Sequence, residues 1–258
     1  MYTGLYAAVS GSFAQEKRLA ILTNNLANAN TVGFKADRPV FEVIPSPVVV
    51  QAASPAGTAP GSFTLLNQLQ GRDSTQTQLR TVSTDFSQGD VQQTGNPLDL
   101  ALEGRGFFAV QTPSGVAYTR QGNLSLSAGG TLVTHGGLPV LGSEGAIQIT
   151  GGKPQISPAG QVVVNGTVVG QLQLVDFPQP YALDKQGEVL FRPRYPDTPT
   201  SAANAVVRQG AIETANAQPV RLLVSVLESS RAYEAYQKVI QAFNDTAGRA
   251  VNDIAGRA

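Results

Sequence analysis

The chain has no cysteine. Disulfide staples, thiolate nucleophiles and Cys-ligated zinc or iron–sulfur centres are therefore excluded. Histidine occurs once, as His135 in "TLVTHGGLPV". A lone imidazole with no partner constellation reads as a turn residue rather than a base or ligand. Asp85, Asp90 and Asp99 are scattered over turns and a strand, without metal-ligand spacing. Charge is also sparse, at 14%, where soluble domains carry about a quarter. It is balanced, with 18 basic and 18 acidic residues, so no electrostatic footprint for nucleic acid or an anionic membrane surface is present. No run approaches the ~20 apolar residues of a membrane span, and no membrane insertion is expected. The start, "MYTGLYAAVSGSFAQEKR", lacks a basic stretch followed by an apolar run. If the chain leaves the cytosol, it is expected to do so without a cleaved signal. "GRGFF" at 104–108 lacks the third glycine and following helix of a dinucleotide site, and neither a Walker A nor a G-x-S-x-G motif occurs. No catalytic residue, cofactor or metal is assigned.

What the chain does have is helical periodicity at its two ends and alternation between them. Residues 2–30 read as a helix with Leu5, Val9, Phe13, Ala20 and Ala27 on one face and Leu19 and Leu26 beside them. The same stripe can be written as heptads, Tyr2, Leu5, Val9, Ser12, Glu16, Leu19, Thr23, Leu26. At the other end Leu222, Val226, Ser229, Tyr233, Tyr236, Ile240, Phe243, Ala247, Ala250 and Ile254 alternate steps of four and three. That is the seam of helices that wind around partners, and Pro219 suits its first turn. Between the ends, residues 91–210 are short alternating runs broken by glycine. Asn165-Gly166 between two valine-rich runs predicts a two-residue type I′ hairpin, whose central positions both need positive φ. Residues 44–63 are rich in Pro, Ala, Ser and Gly and read as linker.

The predicted class is α+β. The plan is a helical assembly domain from residues 1–30 plus 219–258, an extended linker over 31–75, and a β-rich, mainly antiparallel domain over 76–218. Residues ~75–215 are expected to fold alone, since they carry their own apolar faces and turns. Two terminal helices can pair with each other but still leave apolar surface, which neighbouring copies would cover. This favours an assembly subunit over a self-contained enzyme.

Three segments carry a family resemblance. "ILTNNLANANTVGFKADRPVFE" resembles the N-terminal motif of flagellar rod and hook proteins, an N-N-(L/I)-A-N run followed by G-F-K. "NPLDLALEGRGFFAVQTPSGVAYTRQGNLSLSAGGTLVTHGGLPVLG" resembles the opening of that family's β-domain. "ETANAQPVRLLVSVLESSRAYEAYQKVIQAFND" resembles its C-terminal helix, with the R-A-Y-E core. The three occur in family order. "MYTGLYAAVSG" and the tail "NDTAGRAVND" look most like the proximal-rod F type, with the distal-rod G type as the near alternative. "AQPVRLLVSVLESS" departs from the family, which has an acidic residue and a methionine there.

The resemblance implies a structural subunit of the basal-body rod, exported by the flagellar type III apparatus. It would polymerise with its own copies and with other rod proteins in the periplasm, and transmit torque. A hook-type axial subunit, a secreted β-rich binding module and a cell-wall hydrolase are the competing functions; no carboxylate pair marks the last. The expected assembly interface is Leu5, Val9, Phe13, Leu19, Asn24, Asn25, Leu26, Asn28, Gly33 and Phe34 from the N-terminal segment. From the C-terminal helix it takes Leu222, Val226, Tyr233, Tyr236, Ile240 and Phe243. The asparagine cluster is expected to end the first helix where copies pack, its amides bonding to neighbouring backbone. Gly33 is expected to turn the chain at positive φ, and Phe34 to anchor it outward.

Overall fold

The architecture is that of a computed structural model, which describes residues 2–44, 76–195, 200–201 and 205–255. It is α+β, with a helix at each end and antiparallel strands between. The chain forms two compact units. The first takes Met1–Asn24, Asp37–Ser83 and Val220–Ala258; the second takes Asn25–Ala36 and Thr84–Pro219.

In the first unit the body of helix α1 (Tyr2–Ala27) lies against helix α2 (Pro219–Ala255). The 37 residues of α2 make a rod of ~55 Å at ~1.5 Å per residue. Gly4 meets Phe243 and Gly11 meets Tyr236, so the helices run antiparallel. These glycines have a steric purpose. A Cβ on Gly11 would stand 2.6 Å from Tyr236 Cε1 and Cζ, and one on Gly4 would stand 3.0 Å from Phe243 Cζ. Helix propensity is sacrificed at both positions so that two aromatic rings can lie on the α1 backbone. Ala8, Ser12 and Ala14 are buried, and Gln237 Nε2 donates to Ser12 Oγ at 3.3 Å. Glu16, placed on the stripe by the heptad reading, is exposed.

The expected linker is only partly described. Asp37–Ile44 is a strand that pairs with Gln76–Thr84 in a two-stranded sheet, and residues 45–75 lie outside the described set. Residues 31–36 belong to the second unit. A boundary at 76 therefore leaves Gly33, Phe34 and Lys35 out of the body into which they pack.

The second unit is built on a six-stranded sheet. Its order is Leu183–Gln186, Leu190–Pro193, Gly115–Thr119, Phe107–Thr112, Leu174–Asp176 and Thr200–Ser201. The strand Phe107–Thr112 shows why "GFFAV" reads as a continuous apolar run. Phe107 and Ala109 point into one cluster, with Tyr118, Phe177 and Phe191. Phe108 and Val110 point into another, with Leu100, Leu132, Val140 and Val162. A strand with period-two side chains and a core on both faces has no polar face to show. Edge-to-face contacts order the first cluster, with Phe86 5.1 Å from Phe191 and Tyr118 4.8 Å from Phe177.

A three-stranded sheet, Pro154–Ile156, Gln161–Val164 and Thr167–Gln171, contains the expected hairpin. Asn165 has φ 51° and Gly166 has φ 81°, the double positive φ of a type I′ turn. His135 lies in an exposed turn, as expected.

Candidate assembly surface and the Lys35–Glu213 cluster

Along α2 the four-three seam is half-buried or buried from Leu222 to Phe243, and Ala247 beyond it is exposed. Leu222, Val226, Tyr233, Tyr236, Ile240 and Phe243 are half-buried, and Ser229 is buried. Tyr236 and Phe243 of this seam sit on α1 of the same chain. The most exposed apolar side chains lie on another stripe. Val220, Leu223, Val224 and Leu227 are 77%, 51%, 50% and 52% exposed, at the i, i+3, i+4, i+7 spacing of one helix face. On α1, Tyr6 and Phe13 are exposed, two turns apart. Leu5, Val9, Leu19 and Leu26 are half-buried and Asn24 is exposed.

Covering the α2 stripe would contribute on the order of a few kcal/mol per subunit, given about 1.5–3 kcal/mol for each fully buried aliphatic side chain. The sequence reading missed Tyr6, Val220, Leu223, Val224 and Leu227. "PVRLLVSVLESS" carries two interleaved apolar stripes, and the longer four-three repeat hid the shorter one.

The remaining N-terminal residues of the expected interface lie in the second unit. Asn25 and Asn28 are buried. Thr31 donates through its amide to Asn28 O at 3.0 Å and through Oγ1 to Asn28 Oδ1 at 3.1 Å, closing the turn after α1. Gly33 has φ 71°, the positive-φ exit expected of it, and a Cβ there would meet the Arg120 and Gln121 backbone at 2.5 Å. Phe34 has no exposed surface. Its anchoring is inward and intramolecular rather than outward, with Lys185 Nζ 4.0 Å from the ring centre.

Beside Phe34 is a buried ionic cluster. Lys35, Arg120 and Glu213 are all buried. Lys35 Nζ donates to Glu213 Oε1 and to Ser87 O, each at 2.6 Å. Arg120 Nη1 donates to Glu213 Oε2 at 3.1 Å, and its Nη2 to Gly104 O at 2.7 Å. The Gly89 amide completes the carboxylate at 2.9 Å. Two cations thus share one anion. Burial pushes the Lys35 ammonium below its ordinary pKa of 10.5, against the upward pull of Glu213.

Asn216 secures the next residue. Its Oδ1 accepts from the Ala36 amide at 2.8 Å, and its Nδ2 donates to Asp85 O at 2.7 Å. Lys35 stands in a motif quoted above, but nothing local in the sequence marks Glu213 as its partner. The pairing spans 178 positions.

No helix among the described residues is long and apolar enough to cross a membrane, and no group of three His, Asp or Glu there could hold a metal ion.

Three family models match the chain. One, described as flagella basal body rod protein, covers residues 5–35. The second, the flagellar hook protein FlgE/F/G D1 domain, covers 101–168. The third, the flagellar basal body rod FlgEFG protein C-terminal model, covers 208–253. Lys35, Arg120 and Glu213 fall one in each. Among whole-length relatives, the flagellar basal-body rod protein FlgG of Buchnera aphidicola subsp. Acyrthosiphon pisum is 34% identical over 93% of this chain and 95% of its own length. The flagellar basal-body rod protein FlgF of Caulobacter vibrioides is 33% identical over 93% of each chain. The FlgG protein of Bacillus subtilis is 31% identical over 98% of this chain and 99% of its own.

Proposed function

The chain belongs to the flagellar basal-body rod protein family, and we propose that it polymerises into the rod through the outward faces of its two terminal helices. It is a structural subunit of the basal-body rod rather than an enzyme. The observation that carries the assembly reading is the exposed stripe Val220, Leu223, Val224, Leu227 on a helix whose other apolar seam is already half-buried. Its partners are other copies of the chain and other rod and hook components. The flagellar type III apparatus exports it before assembly, and the finished rod transmits torque.

The start "MYTGLYAAVSG" and the tail "NDTAGRAVND" support the proximal F-type position. The distal G-type position is the second reading, favoured by the 34% identity to a G-named relative. Locating a tagged copy in basal bodies by electron tomography decides between them. Electron microscopy of the purified protein over a concentration series tests polymerisation itself. Ordered filaments or stacks are the expected result, and monodisperse monomers at every concentration would overturn the reading.

A further inference from the structure

We propose that residues 31–36 form a strap that closes onto the second unit as a discrete step, locked by Lys35 on Glu213. The inference concerns this chain alone and does not depend on the rod reading.

The strap joins no β-ladder. It is held by single bonds to distant segments. The Gly33 amide donates to Glu213 O at 2.8 Å, Ala36 to Asn216 Oδ1 at 2.8 Å, and Lys185 Nζ to Lys35 O at 2.8 Å. The Asp85 amide donates to Ala36 O at 2.8 Å. The rest of the unit is residues 25–30 and the stretch Thr84–Pro219, and both apolar clusters lie inside the latter. The bonds of Lys35 reach from Ser87, 52 positions on, to Glu213, 178 positions on.

The chemistry also makes opening separable from unfolding. With the strap out, Glu213 keeps Arg120 and the Gly89 amide as partners, while Lys35 regains water. Rehydration offsets part of the broken ion pair. What opposes opening is the net loss of the Lys35 bonds and the strap's backbone bonds, together with exposure of Phe34, a single buried ring. Such a segment opens locally at a lower free energy than the sheets around it. Gly33 seats the strap, since its positive φ and contact with the Arg120–Gln121 backbone leave no room for a side chain.

Hydrogen exchange on the full chain tests this, read at single amides by NMR. The amides of Gly33, Ala36 and Asp85 are expected to exchange together, and faster than those of Leu132 and Val140, which bond within the core. Lys35→Met should speed the strap group at least tenfold, and in low urea the strap group should keep a shallow denaturant dependence while Leu132 and Val140 rise steeply, because opening the strap exposes far less surface than unfolding. Should Lys35→Met fail to fold, Lys185→Met serves, because it removes the bond to Lys35 O and the contact on Phe34 while leaving the Lys35–Glu213 pair in place; the same three amides should accelerate. Exchange of strap and core at one rate and with one urea dependence, in whichever variant folds, would overturn the strap and make residues 31–36 ordinary core.

Discussion

Lys35 Nζ lies 2.6 Å from Glu213 Oε1, with both side chains shielded from solvent. The pair joins the segment after the first helix to the strand Ala211–Glu213, and Arg120 joins it from the end of Gly115–Thr119. Each of the three family motifs thus supplies one charge to the same buried cluster.

The two halves of this pair should not be equivalent. Lys35→Met leaves Glu213 with Arg120 and the Gly89 amide. Glu213→Gln leaves two buried cations without their anion. Breaking a buried pair costs about 3–5 kcal/mol, and the glutamine variant should sit at or above the top of that range, with Lys35→Met below it. Urea unfolding of the full-length variants gives the order; equal losses, or the reverse order, would contradict the cluster's charge arithmetic.

The pH dependence has a defined sign. Lys35 is depressed below 10.5 in the folded chain, with burial as the main cause. Between its folded and unfolded values the unfolded chain binds more protons at this site, so stability rises with pH there. Relative to Lys35→Met, the wild-type chain should gain stability as pH climbs from neutral towards 10.5. Unfolding both proteins across that range reads the difference, and a wild-type advantage that shrinks with rising pH would be the wrong sign.

The helix pair makes a steric prediction. Gly11→Val puts a branched side chain where Tyr236 lies 2.6 Å from the built Cβ. Overpacking of this kind costs about 1–3 kcal/mol. Gly248→Ala, on the other helix, meets nothing within 4 Å and should be neutral or stabilising by up to about 1 kcal/mol. Helical circular dichroism during thermal unfolding compares the two; equal effects would show that Gly11 is not a packing position.

Much of this fold could be read from local pattern. The helix at Pro219, the Asn165-Gly166 hairpin and the turn at His135 follow from periodicity and turn chemistry within a few residues. Gly33 was legible as a positive-φ position for the same reason. What escaped was information held between distant segments. The wall that buries Phe34 comes from elsewhere in the chain, as does Glu213. The seam was legible as a repeat, but a repeat does not say whether its partner is the same chain or another. The exposed stripe at Val220–Leu227 becomes visible only once α1 covers part of the other.

In the proposed assembly the outward stripe on α2 is a contact between subunits. Leu223→Asp tests it most directly, because Leu223 is 51% exposed and its change should leave the subunit folded. An unpaired carboxylate in an apolar contact costs several kcal/mol or forces it open, and the loss repeats in every copy. Lys238→Asp, also on α2 and exposed, is the control, since surface changes usually stay within about 0.5 kcal/mol. The measurement is the amount of each variant in purified basal bodies, beside its secretion and circular dichroism. Leu223→Asp should be folded and exported yet missing from the rod, while Lys238→Asp is incorporated like the wild type; normal incorporation of Leu223→Asp would rule the stripe out as a contact.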